Sequence, residues 1–258
     1  MAGDPQRRAT SSCREAPSAA AAAAASAAQP SDPDLAQSLL SGRKLTAVAH
    51  QLWSSVVRRG DTVVDATCGN GHDALAMAAL ALSLAPTAGD AESAREEVRG
   101  RVVAMDIQEE AVRRTNQRLA AGLSEQQMAR VHTICGCHST LLHHVAPDSA
   151  RLVAFNLGYL PHADRHPSVA TPSPPTALPV LTTRPSSTVA ALAAAVTATA
   201  VGGVISVMAY VGHTGGREEY DAVLNVAASL PTDSWVCWEH RSINRPLSPR
   251  LVVMRRTQ

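Results

Sequence analysis

The sequence is poor in aromatic residues and in lysine. Phe, Trp and Tyr make up 3% of its 258 residues, Phe155 is the single Phe, and Lys44 is the only lysine. Lysine and arginine together number 23 against 22 acidic residues, which gives a formal net charge of +1. A charge so close to balance provides no global attraction to nucleic acid or to acidic lipid, so contact with either must come from a local patch.

A regular cysteine pattern and long apolar runs are also missing. The five cysteines are odd in number and irregularly spaced, which favours free thiols in a reducing compartment over a disulfide framework. No apolar run reaches the length of about 18 residues that a membrane helix needs, so we predict no membrane partner. The chain can still bury a full core, because 45% of its residues are hydrophobic.

Residues 1–34 differ in composition from the rest of the chain. They are rich in Ala and Ser, contain three arginines and carry only two acids before residue 32, Asp4 and Glu15, with Asp32 and Asp34 at the end of the segment. Two interpretations stay open: a disordered low-complexity tail, or an organelle transit peptide, for which Asp4 is unusually early. The transit peptide predicts an organelle, with a chloroplast favoured over a mitochondrion, and the alternative location is the cytoplasm.

Strand-like and helix-like segments alternate from residue 35 onward. The predicted strands include TVVDAT, GRVVAMDI, RVHTI, RLVAFNL and GGVISVMAY, with helical patterns such as HDALAMAALAL and STVAALAAAVTATA between several of them. This α/β alternation is typical of a parallel sheet with helices on both faces. SWVCWEH and PRLVVMR close the chain and predict a C-terminal β-hairpin at the sheet edge. We predict one domain over residues 35–258, with loop inserts at 85–97 and 167–185.

The first strand leads into a glycine loop, in the stretch VVDATCGNGHD. Asp65 ends the strand, and Gly69 and Gly71 let the backbone turn sharply and approach a cofactor without a Cβ in the way. Asp106 ends the second strand, where a carboxylate can accept hydrogen bonds from the hydroxyls of a ribose. The third glycine of a dinucleotide fingerprint is absent, and Asp73 in the next helix would repel a phosphate. S-adenosylmethionine, with its cationic amino-acid end, therefore fits better than NAD.

The fourth strand ends in FNLGYLP, at residues 155–161. A turn explains Gly158 and Pro161, but it requires neither Asn156 nor Tyr159. An amine that attacks a methyl group must keep its lone pair aimed at that group, so acceptors must hold its hydrogens. The alternative is that this polar strand end makes a turn and has no chemical role.

Several motifs occur in an order that resembles one family. DATCGNGHD, the strand ending at Asp106, FNLGYLP, LTTRPSSTVAAL and YVGHTGGREE are similar to the motifs of class I methyltransferases of the rRNA methylase group. That group includes the bacterial tRNA 5-(aminomethyl)-2-thiouridine methyltransferase. The resemblance covers residue 50 to the C terminus. It implies a Rossmann-like fold with a seven-stranded, mostly parallel sheet, and S-adenosylmethionine as the cofactor.

The resemblance and the strand ends together assign the site residues. The implied cofactor-binding residues are Asp65, Thr67, Gly69, Asn70, Gly71, Asp106, Gln108, Cys137, His138 and Asn156. Within this set Asp106 and Gln108 belong to the ribose, and Cys137 and His138 to the surroundings of the adenine. The implied catalytic residues are Asn156, Tyr159 and His213.

Asn156-Leu157-Gly158-Tyr159 resembles the Asn-Pro-Pro-Tyr motif of methyltransferases that act on amino nitrogens. By that resemblance the Asn side-chain oxygen and the next backbone carbonyl accept hydrogen bonds from the nucleophilic NH group, and the aromatic ring stacks on the target or packs beside the methyl donor. His213 is a candidate for proton acceptance or for contact with the nucleotide, and a loop His that caps a helix is the alternative. For His50 a packed helix position is the default.

The implied reaction is N-methylation of the aminomethyl group of a wobble uridine in tRNA, which gives methylaminomethyl-uridine. One alternative keeps the cofactor and methylates a small-molecule or protein amine, and another is a catalytically silent RNA-binding relative. tRNA is a partner by resemblance only, because scattered arginines are usually solvated and aromatic stacking partners are few. The arginines considered are Arg165, Arg184, Arg217, Arg241 and Arg245.

A cluster of soft ligands follows the third strand. Cys135, Cys137 and His138, with His143 and His144 after them, look like a metal site. A second ligand pair at zinc-ribbon or zinc-finger spacing is missing, so we predict no metal. The sequence leaves a homodimer open.

Overall fold

The structure is a computed structural model of the chain, and it describes residues 45–82, 100–158 and 185–258. Several expectations fall outside these ranges. They concern the tail at 1–34, the insert at 85–97, all but the last residue of the insert at 167–185, Tyr159, Arg165 and Arg184.

Seven strands and six α-helices occur in the described residues. In chain order they are α1 (Leu45–Val56), β1 (Thr62–Asp65), α2 (His72–Ala81), β2 (Arg101–Asp106), α3 (Glu109–Gly122), α4 (Glu125–Met128), β3 (Val131–Cys135), β4 (Ala150–Leu157), α5 (Pro185–Ala198), β5 (Thr199–Ala209), α6 (Gly216–Ser229), β6 (Trp235–His240) and β7 (Arg250–Arg256). A 3-10 helix, His138–His143, follows β3. None of the described helices is both long and apolar enough to cross a membrane.

The strands form a single sheet in the order β3-β2-β1-β4-β5-β7-β6. Strands β1 to β5 are parallel to one another, and Asp65 is aligned with Ala104 of β2 and Ala154 of β4. β7 runs antiparallel to both β5 and β6, which confirms the predicted hairpin and the Rossmann-like fold. The chain leaves β1 in one direction and returns to its other side at β4. Ligands bind at such a switch point, outside the carboxyl ends of the strands.

Helices cover both faces of the sheet and create two apolar layers. On one face, Trp53 of α1 and Met77 of α2 belong to a buried cluster with Val63 and Leu152 of the sheet. On the other face, Leu192 of α5 and Tyr220 of α6 join a second cluster that includes Phe155, Ile205 and other buried residues. The sheet is thus buried on both sides, which explains why its central strands read as continuous apolar runs.

The boundary between α5 and β5 differs from the prediction. The sequence predicts a helix up to Ala200 and a strand from Gly202, but β5 already begins at Thr199. The Thr199 hydroxyl donates to the Ala195 carbonyl at 2.6 Å. It thus satisfies a carbonyl at the end of the helix with a side-chain donor. The alanine-rich composition hides this boundary, because Ala favours the helix and gives no stop signal. α4 and the 3-10 helix are also additions to the predicted elements.

Gly71 makes the turn between the glycine loop and α2. Its φ is +76°, and a Cβ added there would lie 2.8 Å from the Cα of Thr115. Glycine is therefore required twice, once for the left-handed backbone and once for the close approach of α3. This contact places the N-terminus of α2 at the sheet edge.

We expect Gly71→Ala to destabilise the protein more than Gly60→Ala. Gly60 also has a positive φ, +92°, but an added Cβ would meet nothing within 4 Å. The control should lose about 1–2 kcal/mol from backbone strain alone, and Gly71→Ala about 1–3 kcal/mol more because the backbone of α3 must shift. Urea denaturation measures both free energies of unfolding. Equal losses would contradict the steric role of Gly71.

Candidate active site

The carboxylate at the end of β2 holds the glycine loop. Asp106 accepts the N–H of Gly69 through Oδ2 at 3.0 Å and the N–H of Gln108 through Oδ1 at 2.9 Å. Burial raises the pKa of Asp106, and these backbone N–H groups act in the opposite direction. An ionised carboxylate offers about four acceptor positions, so it is not saturated by these bonds. Ile107, next in the chain, is 57% exposed and adds an apolar surface beside the acid.

The loop also rests on α3. Thr115 donates its hydroxyl to the Gly69 carbonyl at 3.1 Å, and Arg118 donates Nε–H to the Asn70 carbonyl at 2.7 Å. Both of these bonds use backbone carbonyls of the loop. The side-chain oxygen Oδ1 of Asn70 is a buried acceptor that has no hydrogen-bond partner within the described residues. The sequence analysis missed Thr115 and Arg118, because residues of α3 meet the loop only after the helix packs on it.

Asp65 is buried at the end of β1. Its side chain is 2% exposed, and Oδ1 accepts the N–H of Thr67 at 3.3 Å. Oδ2 has no hydrogen-bond partner in the part of the chain that the structure describes. Burial raises the pKa of Asp65 well above its usual value, and the nearby carboxylate of Asp73 raises it further. A buried carboxylate with an open oxygen is the environment that a ligand ammonium satisfies.

The end of β4 is joined to the same loop. The Asn156 N–H donates to the Thr67 hydroxyl oxygen at 2.6 Å, and its side-chain Nδ2–H donates to Oδ2 of Asp73. The amide oxygen Oδ1 of Asn156 is buried and makes no hydrogen bond within the described residues. Thus the structure brings Asn156 to Asp65 and the glycine loop, and it leaves open the acceptor atom that the proposed chemistry requires.

A cavity lies between α1 and the carboxyl ends of β1, β4 and β5. Its lining includes His50, Trp53, Asp65, Asp73 and Asn156. His50 Nε2 is 2.5 Å from Oδ1 of Asp73, and its ring centroid is 4.7 Å from that of Trp53. His50 thus packs against Trp53, as expected of a helix residue, and its side chain, which is 38% exposed, is also bonded to the site through Asp73. The sequence analysis used Asp73 only to disfavour phosphate and missed its place here.

The loop after β5 reaches the end of β4. A Cβ added at Gly158 would lie 3.4 Å from Cδ2 of Tyr210 and 3.6 Å from Nε2 of His213. Burial raises the pKa of Tyr210 and Asp73 raises it further, so its hydroxyl stays protonated. His213 therefore lies near Gly158, in the segment that begins at Asn156. A proton acceptor or a nucleotide contact would have to lie close to this segment. Tyr210 was missed, although its position directly after a parallel strand is a usable signal.

Cys137 and His138 lie in the loop after β3. The Gly136 N–H donates to the Asp106 carbonyl at 2.9 Å, which puts this loop beside the acid. His138 is buried against Phe155, with ring centroids 5.9 Å apart, and burial lowers its pKa. The Cys137 sulfur accepts the Ser139 hydroxyl at 3.1 Å. Both side chains have protein contacts, and their place near the adenine stays a prediction.

The described cysteines Cys68, Cys135, Cys137 and Cys237 are free thiols. No group of three or more His, Cys, Asp or Glu side chains within residues 45–82, 100–158 and 185–258 could hold a metal ion. His143 and His144 pack edge to face on each other, 6.3 Å apart.

This fold and site agree with comparisons to known proteins. The family described as "Putative rRNA methylase" matches residues 102–256. The chain belongs to this family. A curated relative from Arabidopsis thaliana, the chloroplastic tRNA (mnm(5)s(2)U34)-methyltransferase, is 39% identical over 220 residues, 84% of this chain and 70% of the relative.

Two solved structures share the fold of this rRNA methylase family member. A protein from Clostridium thermocellum described as a "putative rRNA-methylase" has 29% identity and a TM-score of 0.66, and the alignment covers 83% of this chain and 98% of that protein. A protein from Streptococcus mutans described as "a putative methyltransferase" and solved in complex with SAH has 25% identity and a TM-score of 0.62, and the alignment covers 83% of this chain and 98% of that protein. These similarities confirm the family that the motif order predicts.

We expect Asp65→Asn to stabilise the protein without cofactor and to weaken cofactor binding. The raised pKa of Asp65 means that its stabilising contribution is present at acidic pH and lost as the pH rises through that pKa. The melting temperature of the variant should therefore exceed that of the wild type at neutral pH, and the difference should shrink on acidification. Affinity for S-adenosylmethionine, measured by calorimetry, should fall about tenfold or more as a charge-assisted bond is lost.

Asp233→Asn is the matched control, because Asp233 is exposed and far along the chain from the loop. It should change neither the melting temperature nor the affinity for S-adenosylmethionine. A variant at position 65 that binds the cofactor normally would contradict the assigned role.

Proposed function

We propose that this protein transfers a methyl group from S-adenosylmethionine to the aminomethyl group of a wobble uridine in tRNA. The observation that carries the proposal is the meeting of three acceptors, Asp65, Asp106 and Asn156, at the switch point of a methyltransferase sheet. The relative from Arabidopsis has this activity in its name, and the Streptococcus mutans neighbour was solved with SAH.

The residues present fit S-adenosylmethionine. The open oxygens of Asp65 and Asn70 suit the ammonium of the methionine part, and Asp106 has acceptor positions left for the ribose hydroxyls. The glycine loop provides close approach, and the apolar surface of Ile107 suits the adenine. When bound, the cofactor supplies an electrophilic methyl group on a sulfonium.

Asn156 suits an amine acceptor. Its buried amide oxygen can hold one hydrogen of the amine, and the adjacent backbone can hold another, which keeps the lone pair directed at the methyl group. Tyr210 and His213, beside Gly158, provide an aromatic surface and a candidate proton acceptor at the same edge. Tyr159 remains a proposed contact of the target base.

A basic loop at this edge supports an RNA substrate. Ala209 is paired with Arg250, so the β6–β7 loop, residues 241–249, lies beside the loop after β5. A Cβ added at Gly212 would lie 3.3 Å from the Leu247 carbonyl. Arg241 and Arg245 are exposed here, and guanidinium groups bind phosphates and stack on unpaired bases.

Both ends of the β6–β7 loop are anchored to α6. The guanidinium carbon of Arg250 lies 4.4 Å from the ring centroid of Tyr220, whose hydroxyl donates to Glu239 at 2.7 Å. Arg250 Nη1 is 3.7 Å from the same carboxylate. This cluster fixes the position of the β6–β7 loop relative to the loop after β5.

We also propose that the protein works in an organelle, a chloroplast in the first instance. The composition of residues 1–34 supports a transit peptide, and the Arabidopsis relative carries the word chloroplastic in its name. Expression of a fluorescent protein fused behind residues 1–34 tests this location. Diffuse cytoplasmic fluorescence would contradict it.

Nucleoside mass spectrometry tests the reaction. tRNA that carries 5-aminomethyl-uridine should gain one methyl group at that nucleoside when incubated with the purified protein and S-adenosylmethionine. Asn156→Ala should lower kcat by about 100-fold, the loss typical of one missing transition-state hydrogen bond, with little change in cofactor affinity. Ser206→Ala, which alters another side chain of the same cavity, is the control. An unchanged nucleoside profile with the wild type would reject tRNA as substrate.

Arg245→Ala should weaken tRNA binding at every salt concentration. If Arg245 contacts one phosphate, the slope of log affinity against log salt should become shallower by about one unit. Arg113→Ala is the comparison, because Arg113 is exposed on α3 and bonded to Glu110 of the same helix. Identical slopes for both variants and the wild type would remove the β6–β7 loop from the substrate surface.

A further inference from the structure

We propose that Asp73 is a positioning residue for methyl transfer: it fixes the side-chain amide of Asn156 with the oxygen toward the acceptor amine, and His50 fixes Asp73. The inference rests on the proposed function, because only an amine acceptor requires this orientation of the amide. It adds two residues, from α1 and α2, to a site otherwise built from strand ends and the glycine loop.

An asparagine amide can be turned in two ways that have nearly the same shape. With the oxygen toward the cavity, Asn156 accepts a hydrogen from the amine and leaves the nitrogen lone pair free. With the NH2 group toward the cavity, it presents donors to a group that needs an acceptor, and it would bond to the lone pair that must attack. The reaction therefore needs a neighbour that selects one orientation.

Asp73 makes that selection. An ionised carboxylate only accepts hydrogen bonds, so the group of Asn156 that faces Oδ2 of Asp73 must be the NH2. The reverse orientation would place the amide oxygen against the carboxylate oxygen, and the Asp73 side chain is only 16% exposed, so water screens that repulsion poorly. Oδ1 of Asn156 consequently points away from Asp73, buried and without a hydrogen-bond partner among the described residues.

Asp73 is itself held from two sides. It lies in the first turn of α2, where the helix dipole favours a negative charge. Its other oxygen, Oδ1, is 2.5 Å from Nε2 of His50, so that nitrogen carries the shared hydrogen. The His50 ring is tilted by 37° against Trp53, which is 3% exposed and anchors this part of α1 in the core. A chain of side-chain bonds thus runs from α1 through α2 to the end of β4.

Asp73 could instead act through its charge, by attracting a cationic ligand or by taking a proton from the amine. The variant Asp73→Asn separates these roles. Its amide oxygen can still accept from Asn156, and its NH2 can donate to Nε2 of His50 in the other tautomer. Positioning therefore predicts that Asp73→Asn retains much of the function that Asp73→Ala loses, whereas a charge role predicts that both variants fail alike.

The first measurement uses the protein without ligands. Nitrogen–proton NMR spectra report the side-chain NH2 of Asn156, identified by its disappearance in Asn156→Ala. We expect slow exchange of these protons with water in the wild type and in Asp73→Asn, and exchange at least about tenfold faster in Asp73→Ala, because a buried hydrogen bond is lost. Equal exchange in all three proteins would overturn the inference without reference to any substrate.

The second measurement is steady-state kinetics of the full chain with tRNA carrying aminomethyl-uridine. Asp73→Ala should lower kcat by about 10–100-fold while KM for tRNA and affinity for S-adenosylmethionine stay within about threefold. Asp73→Asn should recover most of kcat, and His50→Gln, which keeps a donor, should lose less than His50→Ala. Asp73→Ala combined with Asn156→Ala should be little slower than Asn156→Ala alone, because one residue acts through the other.

Several outcomes would overturn the inference. If Asp73→Asn is as slow as Asp73→Ala, the effect is due to the charge of Asp73. If the losses in kcat multiply in the double variant, the two residues act independently. A fall in cofactor affinity that matches the fall in kcat would make Asp73 a cofactor-binding residue. A wild type that does not methylate this tRNA would reject the proposed function instead, and the NMR result would still decide the orientation of the amide.

Discussion

The removal of carboxylates from water at the carboxyl edge of a parallel sheet is the constraint on which this site depends. Asp65 is buried there and Asp73 and Asp106 are partly buried, and each carboxylate taken out of water costs free energy unless donors replace the solvent. Backbone N–H groups of the glycine loop bond to Asp65 and Asp106, and side chains from α1 and β4 bond to Asp73. The conformation of the loop is thus tied to the need to solvate these acids.

Not every acceptor oxygen at this edge has a donor in the described residues. Asp65, Asn70 and Asn156 each have a buried acceptor oxygen without a hydrogen-bond partner in the described residues, and each such oxygen costs stability that a ligand donor would restore. The two apolar layers of the sheet compensate, since they surround the strands with aliphatic side chains on both faces. The strands hold these acceptors at fixed positions, which is the kind of preorganisation that the proposed transfer requires.

The sequence predicts those parts of the site that lie at regular places in the pattern. Asp65, Asp106 and Asn156 lie at the carboxyl ends of strands in a parallel sheet, so their convergence follows from the alternation of strands and helices. Gly69 and Gly71 follow from the turn that the chain must make. The hairpin and the parallel core were predictable for the same reason, because periodicity and connection length decide them.

Other contacts have no local signal. His50 reads as one more residue of an amphipathic helix, and only the packing of α1 over the edge brings it to Asp73. Thr115 and Arg118 lie on the face of α3 that happens to meet the loop, a fact of tertiary geometry. The junction at Thr199 was missed because an alanine-rich helix passes into a strand without Gly or Pro between them. Helical propensity competes there with pairing to β4, and pairing wins.

The hydrogen bond between the hydroxyl of Thr67 and the N–H of Asn156 has a mechanical consequence. It joins the glycine loop to the end of β4 through one side chain, with a donor–acceptor distance of 2.6 Å. A displacement of the glycine loop would therefore also shift the backbone at the end of β4, so these two parts of the candidate site are mechanically coupled.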